Sequence, residues 1–111
     1  MASPFSAAAA RRDDGTWTVT VSGEIDLATA PELEALFHGL DVVASDRVLV
    51  DLAAVSFLDS SGIRALVRAN RQFGAVGAVL ILDVVSDAAR QVLEISGVLE
   101  ALSERPSEDG V

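Results

Sequence analysis

Trp17, Val19 and Val21 alternate with Thr16, Thr18, Thr20 and Ser22, a period of two that predicts a strand with one wet face. Ahead of it, Asp13-Asp14-Gly15 is a turn signal, which makes room for an earlier strand paired as a hairpin. The alanine run from Ala7 to Ala10 argues for helix instead, and both readings stay open. Gly23-Glu24-Ile25-Asp26 follows as a polar loop. Thr29-Ala30-Pro31-Glu32 then predicts a helix start, with Thr29 as cap, Pro31 in the first turn and Glu32 completing a capping box. Leu33, Leu36, Phe37 and Leu40 recur at i, i+3, i+4 and i+7, so this helix buries one face and leaves His38 outside it.

After Asp46-Arg47, Val48-Leu49-Val50-Asp51-Leu52 reads as a buried strand ending near Leu52, with apolar character continuing through Val55-Ser56-Phe57-Leu58. Asp59-Ser60-Ser61-Gly62 comes next, and then an amphipathic helix with Ile63, Leu66, Val67 and Phe73 inward, stopped by Gly74 and Gly77. Ala78 to Leu82 is continuously apolar and predicts another central strand. Ser86 caps a last helix with Ala89, Val92 and Leu93 inward and Gly97 at its end. Strands alternating with amphipathic helices predict an α/β fold, a small mixed β-sheet with helices packed mainly on one face. Residues 1–102 read as a single domain and residues 103–111 as a polar, loose tail.

Composition narrows the function classes. The chain has 111 residues, half of them hydrophobic, enough for one domain with a core. A net charge of −9 argues against nucleic acid and anionic membranes as partners, and points to a protein or a small molecule. No apolar run is long enough to insert in a membrane, and the start lacks the pattern of a secretory signal, so a soluble cytoplasmic protein is expected. With no cysteine and one histidine, disulfides, thiolate chemistry and the common zinc sites are excluded. All eight basic residues are arginine, so chemistry that needs a lysine is excluded as well.

The two serines sit where a helix begins, beside unpaired amides and the positive end of its dipole. A hydroxyl there has three uses: helix cap, nucleophile, or phosphate carrier. Nucleophilic catalysis lacks a base, because the only histidine lies on another helix. Leu58-Asp59-Ser60-Ser61-Gly62 also lacks the glycine that precedes the serine of a nucleophile elbow. No Gly-x-x-x-x-Gly-Lys motif cradles a phosphate, and a phosphoaspartate receiver would need the missing lysine. Asp51 and Asp59 flank one strand–turn unit, but nothing in their spacing distinguishes a catalytic pair from ordinary loop acids. The chain is therefore not expected to be an enzyme. Arg64, Arg68 and Arg71 form one basic stripe along the helix after the serines, suited either to solvent or to an acidic partner.

Taken together, Gly23-Glu24-Ile25-Asp26 with Thr29-Ala30, Val48 to Leu52, and above all Val55 to Ile63 resemble the STAS-domain anti-sigma factor antagonist family. Gly77 with Val79 to Leu82, and Leu93 to Val98, fit the same pattern, so the resemblance covers roughly residues 16 to 102. It implies a STAS fold that binds an anti-sigma factor, a serine kinase holding a sigma factor. It also implies Ser60 as the residue phosphorylated by that kinase, with a PP2C-type phosphatase reversing the step. ATP and magnesium would belong to the kinase, and no cofactor to this chain. Asp26, Asp59, Ser60, Ser61, Gly62, Arg64 and Arg68 are the expected partner-binding residues. An alternative within the same fold is a phosphorylation-independent regulatory or scaffold subunit, for example of a lipid-transport ATPase complex.

Overall fold

Asp13-Asp14-Gly15 reverses the chain between two antiparallel strands, β1 (Ser6–Arg11) and β2 (Thr16–Ile25), in the computed structural model, which describes residues 4–103. Asp14 Oδ1 accepts the Thr16 amide at 3.0 Å and closes the turn. The alanines are strand, not helix: β1 pairs from Ser6↔Ser22 to Arg11↔Trp17, while Phe5 and Ala7 pack against the core. A full ladder with packing behind it outweighs a helix preference worth less than about 1 kcal/mol per residue.

Two parallel strands complete the sheet, β3 (Arg47–Leu58) beside β2 and β4 (Val79–Val85) beside β3, in the order β1-β2-β3-β4. The crossovers are α1 (Ala30–His38) and α2 (Ser60–Ala75); α3 (Asp87–Ser96) and α4 (Val98–Ser103) follow β4. Successive parallel strands step the same way across the sheet, so two crossovers of the usual right-handed sense place both helices on one face. Val19, Val21 and Ile25 of β2, Val48, Val50 and Leu52 of β3, and Leu80 and Leu82 of β4 meet Leu33, Phe37, Leu66, Phe73, Leu93 and Leu102 there. All four helices contribute to that one core, and Thr18, Thr20 and Ser22 lie on the opposite face.

Several elements differ from the sequence-based expectation. Gly23-Glu24-Ile25 continues β2 instead of forming a loop, and the ladder shifts register beside Gly23. At φ +88°, a Cβ there would stand 2.4 Å from the Pro4 carbonyl oxygen, so glycine is required. β3 runs past Leu52 to Leu58, bending at a register shift at Asp51, whose Oδ1 accepts the Ala53 amide at 2.8 Å. β4 is an edge strand rather than a central one, and an extra helix, α4, follows Gly97. Gly74 lies inside α2, which ends one residue later, so Gly77 alone supplies a left-handed backbone at that end. The inward face of α2 is Gly62, Ala65, Leu66, Ala69 and Phe73, with Ile63 and Val67 only half-buried. Ser86 and Gly97 cap α3 as expected, with Ala89 and Leu93 buried. Ser103 closes α4, and the rest of the expected tail, 104–111, lies outside the described residues.

Candidate functional site

The sheet's parallel strands β2 and β3 end side by side, where the Asp59 amide donates to the Ile25 carbonyl at 3.2 Å. That bond brings the loop after β2 next to the start of α2, at the carboxyl ends of the strands. Crevices at this end of open α/β sheets are the usual location for binding.

The start of α2 is built around Asp59, not around a serine. Asp59 is the N-cap, in extended backbone, and its Oδ1 accepts the amides of Ser61 at 2.8 Å and Gly62 at 3.3 Å. Of the three uses open to a serine hydroxyl here, that of helix cap falls to Asp59 instead: a carboxylate one residue earlier reaches both amides with better charge complementarity. Ser60 occupies the first helical position, is exposed, and its hydroxyl makes no hydrogen bond among the described residues. Ser61 is half-buried. Gly62 is buried against the strand ends: a Cβ there would lie 2.3 Å from Leu58 Cδ1 and 2.8 Å from Ile25 Cγ2. Without a side chain at 62, the helix seats flush on Ile25 and Leu58, which sets the height at which Ser60 is presented.

The neighbouring loop is equally tied down. Asp26 Oδ1 accepts the amides of Ala28 at 3.0 Å and Thr29 at 3.1 Å. Thr29 Oγ1 accepts the Asp26 amide at 2.9 Å and donates to the Glu24 carbonyl at 2.8 Å. Thr29 thus staples the loop and makes no side-chain cap to α1, so the expected capping box with Glu32 does not form. Its helical backbone at φ −100°, ψ −22° turns the hydroxyl away from the amides it was expected to reach.

Three of the seven expected partner-binding residues share one groove. Ser61, Arg64 and Arg68 line a shallow groove with Leu27, Ala30, Pro31 and Glu34 from the α1 side. Arg64 has no ion-pair partner among the described residues, and Arg68 meets Glu34 at 3.6 Å. Two exposed apolar residues flank the turn, Leu27 at 77% and Phe57 at 46%. Sequence reasoning missed both. Leu27 stands between Asp26 and Thr29, outside the α1 stripe, and that unexplained leucine was the available signal. Asp51 and Asp59 are each committed to the amides of their own turns. His38 is exposed at the end of α1. Among the described residues no cluster of His, Cys, Asp or Glu suits a metal ion, and no helix is long and apolar enough to cross a membrane.

Known proteins resemble this chain in sequence and fold. The family described as the STAS domain matches residues 7–109. The anti-sigma-B factor antagonist of Listeria monocytogenes is 30% identical over 91 residues, covering 82% of this chain and 80% of that protein. A crystal structure of an anti-sigma factor antagonist from Mycobacterium paratuberculosis superposes with a TM-score of 0.74 at 29% identity, over 96% of this chain and 90% of that one. The unphosphorylated anti-sigma factor antagonist SpoIIAA has the same fold, with a TM-score of 0.71 at 22% identity over 95% and 91% of the two chains.

Proposed function

Because this chain belongs to the STAS domain family, we propose that it is an anti-sigma factor antagonist switched by phosphorylation of Ser60. The unphosphorylated form binds an anti-sigma factor, itself a serine kinase, and so frees the sigma factor. The observation that carries this reading is the division of labour at the turn: Asp59 caps the helix, and the exposed Ser60 hydroxyl is left without a structural task.

In the forward step Ser60 Oγ bonds to the γ-phosphorus of ATP, ADP leaves, and the hydroxyl proton passes to a base of the kinase. A PP2C-type phosphatase hydrolyses the ester and returns serine and inorganic phosphate. ATP and magnesium sit in the partner, so this chain supplies no catalytic group and works in the cytoplasm, where sigma factors act. Phosphate adds about −1.5 to −2 charges at neutral pH. The helix N-terminus tolerates that charge, so the fold survives. Asp59 beside it raises the local negative potential further, and the partner surface must accept both. A charge forced into a desolvated interface costs on the order of 2–5 kcal/mol, about thirtyfold to several thousandfold in affinity.

The interface is read as Asp26, Asp59, Ser60, Ser61, Gly62, Arg64 and Arg68, with the exposed Leu27 and Phe57 as apolar contacts beside them. The test is affinity capture from native lysate with wild type, Ser60→Ala and Ser60→Asp as baits, followed by reconstitution with the captured partner and labelled ATP. Wild type and Ser60→Ala are expected to retain an ATP-binding serine kinase that Ser60→Asp loses, with label transferred to wild type only. Equal retention by all three, and no label on Ser60, would overturn the switch.

A further inference from the structure

A second, larger groove of about 420 Å³ lies further along the same two helices. Its walls are one face of each: Glu34, Phe37 and His38 from α1, and Ala65, Arg68, Ala69, Arg71 and Gln72 from α2. The space exists because Ala65 and Ala69, one turn apart and each 1% exposed, bring almost no side-chain volume to the helix contact. Phe37 forms an apolar floor, held edge-on to Phe73 with ring centroids 6.0 Å apart and planes at 77°. A volume in the low hundreds of Å³, mostly apolar walls and a few convergent polar groups are the attributes of small-molecule sites.

The charges choose the ligand. Two guanidiniums, Arg68 and Arg71, face one carboxylate, Glu34, so the walls carry an excess of one positive charge on a chain of net −9. Arg68 is already engaged by Glu34 at 3.6 Å, whereas Arg71 has no acidic partner among the described residues. A single anionic group on an apolar body satisfies both features: the anion meets Arg71, and the body lies in the cleft that the small Ala65 and Ala69 leave between the helices. Two contacts across the groove favour a small molecule over a peptide. α1 and α2 are tied across it at Arg68–Glu34 and, one turn later, by Gln72 Nε2 donating to the Phe37 carbonyl at 3.1 Å. A threaded chain segment would have to break both ties, while a compact molecule fits beside them.

We propose that the α1–α2 groove binds a small monoanionic amphiphile, an aromatic or short-acyl carboxylate. The site shares Glu34 and Arg68 with the shallow groove beside Ser61. A carboxylate that draws Arg68 from Glu34 would therefore rearrange the surface next to Ser60. The binding itself does not depend on whether Ser60 is phosphorylated, so it stands or falls separately from the proposed switch.

The experiment is a titration of the full chain with decanoate, followed by calorimetry and by amide chemical shifts, with decanol as the neutral control. Saturable one-to-one binding is expected, with shifts centred on Ala65, Ala69, Arg71 and Gln72. Decanol and the exposed-site variant Arg71→Glu should each bind about tenfold more weakly or worse, the loss of one charged contact. Ala69→Met, a smaller risk to the fold than an aromatic, should fill the groove and abolish binding. Decanoate that does not saturate, that binds Arg71→Glu as well as wild type, or that binds no better than decanol would overturn the proposal. So would a leucine–glutamate amphipathic peptide that displaces decanoate at lower concentration, or concentration-dependent self-association lost in Arg71→Glu. Those two results would assign the groove to a partner helix or to a second copy of this chain.

Discussion

Asp59 Oδ1 accepts the amide of Ser61 at 2.8 Å, and this one bond separates structure from function at the start of α2. Because the carboxylate caps the helix, the hydroxyl of Ser60 is free for chemistry without cost to the fold.

Replacing Asp59 should therefore destabilise the domain where replacing the serines does not. Asp59→Ala is expected to lose about 1 kcal/mol, a fall in Tm of roughly 4–8 °C for a domain of this size class. Ser60→Ala should stay within about 0.5 kcal/mol of wild type. Thermal and urea unfolding of both variants checks this, and equal losses would contradict the assignment of the cap.

Gly62 is fixed by contact rather than by backbone angle. A methyl group there meets Leu58 and Ile25 at less than van der Waals distance. Gly62→Ala is expected to cost about 1–3 kcal/mol through overpacking. Combining it with Leu58→Ala should recover part of the loss, since the clashing atom is removed; strictly additive effects in denaturant titrations would argue against the contact.

Thr29 holds the Asp26 loop through one accepted and one donated bond. Thr29→Val keeps the shape but leaves the Asp26 amide and the Glu24 carbonyl unpaired, at a cost of about 1–3 kcal/mol. Thr29→Ser should be nearly neutral. Hydrogen exchange of the Asp26 amide reports the staple directly, with fast exchange expected only in the valine variant.

Arg64 stands one turn from Ser60, exposed and without an acidic partner among the described residues. Arg64→Glu together with Arg68→Glu is expected to weaken binding of the proposed anti-sigma factor partner by about tenfold or more, the scale of lost charged contacts. The circular dichroism spectrum should be unchanged. Unaltered affinity would leave the stripe as a solvated face.

Hydrogen bonds from the Thr16 side chain and amide hold the exposed Asp14 carboxyl below its ordinary value of 3.8. A depressed folded-state pKa stabilises the hairpin above the unfolded value, and the contribution disappears as pH falls through the folded one. An NMR titration should place Asp14 below 3.8, and Thr16→Val should move it part of the way back up.

Much of this protein is legible in one dimension. The Trp17–Val21 alternation, the Leu33 and Phe37 repeat, the Ser86 and Gly97 caps and the apolar β4 all rest on interactions within a few residues. Local periodicity is enough to specify such elements. The Ser60 turn was also legible, because its residue types and its place between strand and helix are properties of the chain itself.

What only the tertiary structure decided depends on contacts between distant segments. Ala7 to Ala10 became strand because β2 offered a ladder, and β4 became an edge because nothing pairs beyond it among the described residues. Whether Asp59 or a serine caps α2 was settled by backbone direction where β3 leaves the sheet, tied to Ile25 of β2. The groove formed by Phe37, Ala65 and Ala69 exists only once α1 and α2 lie side by side. Sequence periodicity marks the buried face of β2 and α1, whereas α2 turns Gly62, Ala65 and Ala69 inward and leaves Ile63 and Val67 half-buried. Which residues meet across those faces is set by packing the whole domain at once.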